Sequence, residues 1–191
     1  MVTKNKVQYG LSNFHYAILD EAAGTYSPPV AVPGAVKLSL SPEGDSTSFP
    51  ADNIPYFVAT SNKGYTGDLE MALFPDAMVA ALAGAESDTN GMLVEIADAV
   101  QKPFALLCDI EGDQHKRHLV WYNCKMGRPK DEYSTTDKGV EVKTQTAAIT
   151  AIPVELDGKS VVKGSLELSA TNQLVYDAFF TTVLLPDFPA V

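Results

Sequence analysis

The sequence predicts a mainly β protein, a β-sandwich or open barrel with a short flanking helix, a C-terminal helix and a long extended loop or hairpin. Three observations predict this fold class. Short segments alternate apolar and polar residues with a period of two, which is typical of half-buried strands. Turn-forming residues separate these segments at short intervals. The 191 residues, 46% of them hydrophobic, suit one globular domain spanning residues 1–191.

The alternating pattern predicts seven strands. A hairpin is expected where Glu111, Gly112 and Asp113 supply a turn between the fourth and fifth strands. Asp157 and Gly158 are expected to join the last two strands. The predicted strands cover residues 14–19, 36–41, 66–73, 102–110, 117–125, 140–151 and 161–169.

Two segments predict helices. The first covers residues 76–82, where Pro75 suits a helix start and Gly84 suits a helix stop. The second covers residues 171–182, with Thr171 as its N-cap. Its aromatic cluster is expected in the core. The residues at helical spacing are Leu174, Val175, Ala178 and Phe179.

The charge balance argues against one large class of function. The chain has 14 Lys and Arg residues against 24 Asp and Glu residues, a formal net charge of −10. A nucleic-acid-binding module needs a basic surface to displace counterions from phosphates, so this class is disfavoured. The N-terminus lacks the apolar run of a signal peptide, and no segment approaches 18 uninterrupted apolar residues. We therefore expect the chain to fold in a reducing cytoplasm.

The residue types that carry chemistry form no strong pattern. His115 and His118, with Asp113 and Cys124 nearby in the sequence, suggest a metal site at first sight. However, a three-residue offset on a strand puts the two rings on opposite faces, so solvated turn histidines are the better prediction. Cys108 and Cys124 are expected on neighbouring strands as small buried apolar side chains. Serine-nucleophile elbows and phosphate-binding loops are missing from the sequence. We predict no catalytic residue, metal or cofactor.

The segment at about residues 41–65 breaks the strand pattern. A polar excursion of this length inside a compact domain is usually functional or disordered. Ile54, Tyr56, Phe57 and Val58 argue against disorder, because such large apolar side chains need burial. If the other strands already fill the core, the cover is another subunit; the alternative is an ordered flap packed on its own domain. The predicted contact residues are Glu43, Asp45, Phe49, Asp52, Ile54, Tyr56 and Phe57.

Several segments, in order along nearly the whole chain, resemble the phi13-type major tail proteins of long-tailed bacteriophages. They are residues 7–17 (VQYGLSNFHYA), 32–45 (VPGAVKLSLSPEGD), 51–56 (ADNIPY), 62–70 (NKGYTGDLE), 102–107 (KPFALL), 122–124 (YNC), 128–129 (RP) and 144–146 (TQT). The departure is that the sequence ends at Val191, whereas some tail proteins carry an added immunoglobulin-like domain.

The resemblance implies a tail-tube subunit. Such proteins form hexameric rings that stack into a hollow tube around a tape-measure protein, and tail-terminator and distal tail or baseplate proteins close the ends. Double-stranded DNA later passes through the lumen without specific binding. The implied location is the virion tail, after assembly in the host cytoplasm, with no membrane partner and no enzymatic activity.

Two other functions are open at this point, and an enzyme ranks third because no residue pattern in the sequence asks for one. The inner tube of a contractile tail, or of a type VI-like injection device, has a related fold. A monomeric β-sandwich binding module would need an exposed aromatic platform, and Trp121 with Tyr122 is the adjacent aromatic pair that offers one. These two side chains alternate faces on a strand, so at most one contributes.

The charge pattern adds a hypothesis about the tube lumen. We predict that the strands at residues 35–41 and 65–73 line it, with Asp68 and Glu70 facing the channel and Leu69, Met71 and Leu73 packed against the domain. An acidic wall would repel DNA phosphates; Lys37 does not fit this pattern. We also expect residues 1–6 and 186–191 to be ordered only by neighbouring subunits.

Overall fold

A computed structural model gives the structure of this protein and describes residues 7–51, 53–135 and 142–189. The helices are α1 (Asp76–Ala83) and α2 (Gln173–Asp177). The strands are β1 (Leu11–Asp20), β2 (Thr25–Tyr26), β3 (Val30–Ala31), β4 (Ala35–Glu43), β5 (Ser46–Ala51), β6 (Ile54–Thr60), β7 (Gly64–Met71), β8 (Glu86–Ser87), β9 (Leu93–Val94), β10 (Phe104–Ile110), β11 (Arg117–Met126), β12 (Gln145–Ala151), β13 (Val154–Leu156), β14 (Lys159–Val161) and β15 (Lys163–Glu167). The prediction of a mainly β fold is confirmed.

One antiparallel sheet dominates the structure. Its strands lie in the order β2, β1, β10, β11, β12, β7, β4, with β3 paired to β1 and β15 paired to β11. Three two-stranded ladders complete the described part of the chain, β5 with β6, β8 with β9 and β13 with β14. The sheet curls so that β4 comes near β1, but the described residues form no ladder between these two strands. The result is a sandwich-like sheet that is not closed into a barrel.

Strand β11 connects the two layers of this sheet. Its first half pairs with β15, and Cys124–Met126 pairs with β12. Between the halves the register to β10 shifts, since Trp121 lies opposite Leu106 while Cys124 lies opposite Phe104. Such a bulge bends the strand and changes which face a side chain takes. Trp121 and Cys124 therefore share one core although their odd spacing would separate them in a regular strand.

Two apolar clusters lie on opposite faces of β10 and β11. The larger one fills the space between the β1–β10–β11 layer and the β7–β12 layer, and α1 covers its end through Met78 and Leu82. The smaller one joins Leu107, Val120 and Tyr122 to Phe179 and Val183 of the C-terminal segment. The centre of the sheet is thus covered on both sides, as in a fully buried strand.

Most predicted elements are present, with shifted bounds. The hairpin of β10 and β11 and the first helix match the prediction, and Gly84 takes the left-handed conformation (φ 81°) of a helix C-cap. Asp157 and Gly158 do not join the last two long strands. They form the two-residue turn of the small β13–β14 hairpin, with φ of 50° and 69°. The predicted strand at residues 140–151 begins at Gln145, and residues 140 and 141 lie outside the described residues.

The second predicted helix is much shorter than expected. Helix α2 has five residues, and Thr171 is not its N-cap. Asn172 takes that position, but its side chain binds the backbone at Ser169 (2.8 Å) and Glu167 (2.8 Å) instead of capping the helix. Phe179 reaches the core as predicted, whereas Leu174 is 86% exposed. No helix in the described ranges is long and apolar enough to cross a bilayer.

Candidate assembly surfaces

The predicted excursion is a β-hairpin, which we call the arm (residues 44–62). Strands β4 and β7 pair up to Glu43 and Gly64, and β5 and β6 continue the ladder. Two backbone hydrogen bonds carry the pairing across the junction, from Ser61 N–H to Asp45 O (2.9 Å) and from Lys63 N–H to Glu43 O (2.8 Å). The Lys63 ammonium pairs with the Asp45 carboxylate beside them. The arm is therefore a direct extension of the main sheet.

Glycine at position 44 permits this continuity. A Cβ atom on Gly44 would lie 2.1 Å from the carbonyl oxygen of Ser61, far closer than real side chains approach. Any other residue would force the two strands of the arm apart at their base. Glycine at this position therefore lets the two strands stay paired at the base of the arm.

The arm exposes its apolar side chains. Phe49 and Phe57 lie directly opposite each other as a cross-strand pair, and both are mostly exposed. Ile54 and Val58 are also exposed, and Tyr56 is 75% exposed. An isolated two-stranded hairpin is marginally stable in water, and here its aromatic pair has little cover from its own domain. The alternative of a flap packed on its own domain does not fit these exposures.

The remaining predicted contact residues lie at the base of the arm. Glu43 accepts a hydrogen bond from Thr66 Oγ1 (2.7 Å) at its exposed carboxylate. Asp45 is held by Lys63, as described above. Asp52 falls outside the described residues. The described members of the predicted set therefore lie on the arm or, in the case of Glu43, directly before it.

A second surface is the outer face of β4, β7 and β12, which we call the polar face. Register places its residues in rows across the three strands, and most of the side chains are small. Glu70 accepts a hydrogen bond from Thr144 Oγ1 (2.6 Å) at one end. The rows are Lys37–Glu70–Thr146, Ser39–Asp68–Ala148 and Ser41–Thr66–Thr150.

The charges on the polar face nearly balance. Lys37 lies directly opposite Glu70, which favours the pair. Lys125 of β11 extends the third row through its pairing with Thr150. Together with Asp68 and the neighbouring Glu43, the face carries three carboxylates and two ammonium groups. Lys37, which did not fit an acidic wall, is part of this cross-strand pairing.

The inner face of β7 corrects one prediction. Leu69 and Met71 are fully buried, as expected, but Leu73 is 67% exposed. The strand ends at Met71, and the chain turns towards α1 before Leu73, so the two-residue alternation no longer applies there.

His118 is buried, and the prediction of a solvated turn histidine is wrong for it. Its ring stacks on Tyr176 with centroids 3.8 Å apart, and its Nδ1 is hydrogen-bonded to Asp109. Asn13 holds the other oxygen of that carboxylate (2.7 Å). The cluster fastens the C-terminal segment to the sheet, and Tyr122 Oη adds a hydrogen bond to the backbone at residue 184 (3.1 Å). The local sequence does not indicate that His118 is buried, because its aromatic partners lie about 60 residues later.

The other chemistry-bearing residues serve packing. Cys108 and Cys124 are free and buried on adjacent strands, and burial raises the pKa of the Cys108 thiol to about 12. No cluster of three or more potential ligands able to hold a metal occurs within residues 7–51, 53–135 and 142–189. Trp121 and Tyr122 are both buried, so they form no exposed aromatic platform of the kind a binding module would use.

A third surface, which sequence reasoning missed, surrounds α2. We call it the apolar groove, a depression of about 480 Å³ with almost no polar lining. Helix α2 has no buried residue, and Leu174, Val175 and Leu185 are exposed. The spacing of these residues signals an apolar helix face, but it does not say whether the cover comes from the same chain. The lining residues are Leu174, Val175, Ala178, Thr182, Val183, Leu184 and Leu185.

Comparison with known proteins gives limited similarity. No model of a known protein family matches the chain, and no curated protein matches it. The chain is similar to the cap of the anti-feeding prophage (the AFP tube terminating cap), with a TM-score of 0.42 and 12% identity over 88% of this chain and 98% of that chain. It is also similar to a chain of the extended PVC sheath–tube complex of an extracellular contractile injection system, with a TM-score of 0.43 and 9% identity over 85% of this chain and 94% of that chain. Both TM-scores are below 0.5, so the fold class stands on the strands and ladders described above.

Proposed function

We propose that this chain is a structural subunit of a bacteriophage tail tube, of the phi13-type major tail protein family that its sequence resembles. The observation that carries the proposal is the arm, a projecting hairpin with an exposed aromatic pair. Large exposed apolar patches mark interaction sites on soluble proteins. An element that continues the main sheet outwards is suited to hold a second subunit in a fixed orientation.

The arm supplies the contact between subunits. Its anchors are Ile54, Tyr56 and Phe57, since aromatic side chains in desolvated pockets carry much of the energy of an interface. A contact between an arm and a different surface of the next copy is head-to-tail, and such contacts close into rings or continue as filaments. By the resemblance, six copies close each ring, and the rings stack around a tape-measure protein.

The polar face lines the lumen in this proposal. Asp68 and Glu70 face the channel, and the short Ser and Thr side chains in the same rows project little into it. With Lys37 and Lys125 beside the carboxylates, the wall repels DNA only weakly, and that repulsion acts within about 8 Å at physiological salt. Because the rows of the polar face form no strongly basic stripe, DNA can pass along them without the counterion release that drives binding.

The first test is a double variant of the arm, Tyr56→Ser with Phe57→Ser. We expect a folded monomer with an unchanged melting temperature that forms no rings or tubes in negative-stain micrographs, because the arm loses its anchors without losing any core contact. The matched control is Val100→Ser, since Val100 is an exposed apolar residue (82%) outside the arm. Wild-type tubes from the double variant would refute the proposed role of the arm.

A second measurement tests the polar face. A map of the assembled tube should show Asp68 and Glu70 on the channel wall. If the map puts them on the outside of the tube, the assignment of the lumen is wrong even though the tube itself exists.

A further inference from the structure

The apolar groove has the features of a docking site. Helix α2 has five residues, too few to be stable by its own hydrogen bonds, and Leu174 projects from it with 86% of its surface exposed. A helix that short persists when its apolar face is covered. The C-terminal segment packs on the sheet through Phe179 and Val183, so the side that bears Leu174 is left uncovered.

The arm and the groove match in composition. Residues 46–60 contain a single charged residue, and so do residues 171–186, in a chain of which 20% is charged. Depletion of charged residues is the compositional mark of the core of a protein interface. Each copy carries one arm and one groove, so every arm in an assembly has a groove to occupy.

We infer that the apolar groove is the receptor for the arm of a second copy of this chain. The inference rests on the proposed self-assembly and names the surface that the arm contacts. The aromatic pair of the arm packs against Leu174, Val175 and Leu185 of the neighbour. The contact is head-to-tail, because the two surfaces differ.

The area of one such contact sets its strength. Aromatic side chains bury roughly 150–250 Å² each, so the three aromatic residues of the arm, about two-thirds exposed, offer roughly 300–500 Å². A stable pair needs about 800 Å² on each partner. One arm in one groove is therefore too small to hold a dimer, and several contacts must form together. The free subunit is monomeric at low concentration, and assembly begins sharply above a threshold.

The test compares Leu174→Asp with the matched control Val100→Asp in the full chain. Both positions are exposed, so both variants fold with wild-type melting temperatures. In Leu174→Asp, a charge sits in the groove, and the threshold concentration for assembly rises by roughly tenfold or more. Val100→Asp assembles like the wild type. Sedimentation velocity over a concentration series measures the threshold.

Cysteine cross-linking locates the contact directly. Chains carrying Phe57→Cys are mixed with chains carrying Leu174→Cys under a mild oxidant, while native Cys108 and Cys124 stay buried. We expect disulfide-linked dimers on a denaturing gel from this pair and none from Phe57→Cys with Val100→Cys.

The outcomes separate the inference from the proposed function. If the wild-type chain forms tubes but the mixed Phe57→Cys and Leu174→Cys chains give no cross-link, or if Leu174→Asp assembles normally, the docking site is overturned and the tube subunit stands. A wild-type chain that stays monomeric at every concentration, together with no cross-link between the cysteine variants, overturns both.

Discussion

Two hairpins of this chain, β10–β11 and the arm, differ in what covers them. Both are antiparallel, but β10–β11 lies in the middle of the main sheet, whereas the arm extends outwards from its β4–β7 edge. Phe104–Cys108 and His118–Cys124 are buried throughout, on both faces, whereas Phe49, Phe57 and their neighbours on the arm are exposed. One hairpin is covered by the chain itself, and in the proposed assembly the arm is covered by a neighbouring copy.

The difference separates stability from assembly. Removing a side chain from the buried hairpin removes contacts that exist in the monomer, so it lowers the free energy of unfolding. In the proposed assembly, removing one from the arm removes contacts between copies, so it weakens assembly and leaves the free energy of unfolding nearly unchanged. Substitutions in β10–β11 should therefore lower the free energy of unfolding, whereas substitutions in the arm should impair assembly and leave that free energy nearly unchanged.

The largest expected effect is that of Leu106→Ala in β10. Leu106 is fully buried in the larger core, and truncating such a side chain costs about 2–5 kcal/mol through lost transfer energy and a residual cavity. Urea denaturation measures the loss. The arm counterpart, Phe57→Ala, should stay within about 0.5 kcal/mol of wild type. An equal loss in the two variants would mean that the arm packs on its own domain.

A smaller effect is expected at the turn between β10 and β11. The Arg117 side chain donates to Asp113 from Nε (2.6 Å) and Nη2 (3.2 Å), and this guanidinium, ahead of the backbone N–H donors, lowers the pKa of Asp113 below its usual range. A lowered carboxyl pKa stabilises the fold above the unfolded-state value of about 3.9 and loses that contribution as the pH falls through the folded-state value.

Asp113→Asn should therefore lower the melting temperature at pH 7 and have a diminishing effect as the pH falls from about 4 towards 2. Thermal unfolding followed by circular dichroism over this range gives the curve. Asp98→Asn, at an exposed carboxyl, is the control and should run parallel to wild type. A constant difference between Asp113→Asn and wild type at all pH values would show that the carboxylate charge is not what stabilises the turn.

The sequence predicts this fold well where a residue's environment is local. The alternation in β4 and β7 and the Pro75 and Gly84 boundaries of α1 depend on neighbours within a few positions, and they match the structure. Faces set by a bulge are not predictable in this way: Val36 is exposed beside the register shift in β4, although it continues the apolar pattern of that strand.

The candidate surfaces also differ in whether they could be predicted from the sequence, depending on how local the surroundings of their residues are. The arm was predictable because a run of prolines and polar residues isolates its apolar side chains from any helix or strand period. The apolar groove was not, since Leu174 and Val175 have the spacing of a core-facing helix and only the fold shows that the core lies elsewhere. His118 was missed because its cover comes from Tyr176 and Phe179, far along the chain.

The smallest expected effect on stability, with a large one on assembly, is that of Gly44→Ala. The new Cβ would lie 2.1 Å from the carbonyl oxygen of Ser61, so the base of the arm must shift, but no core contact changes. We expect a melting temperature within about 2 °C of wild type, for a change in unfolding free energy of about 0.5 kcal/mol. The rotated arm should miss its receptor, and tubes should be absent or irregular in negative-stain micrographs. Gly127→Ala is the control, since its nearest contact would be an ordinary 3.5 Å. Regular tubes from Gly44→Ala would mean that the arm's direction is set by the neighbouring subunit, and that the continuous ladder at its base does not determine how copies fit together.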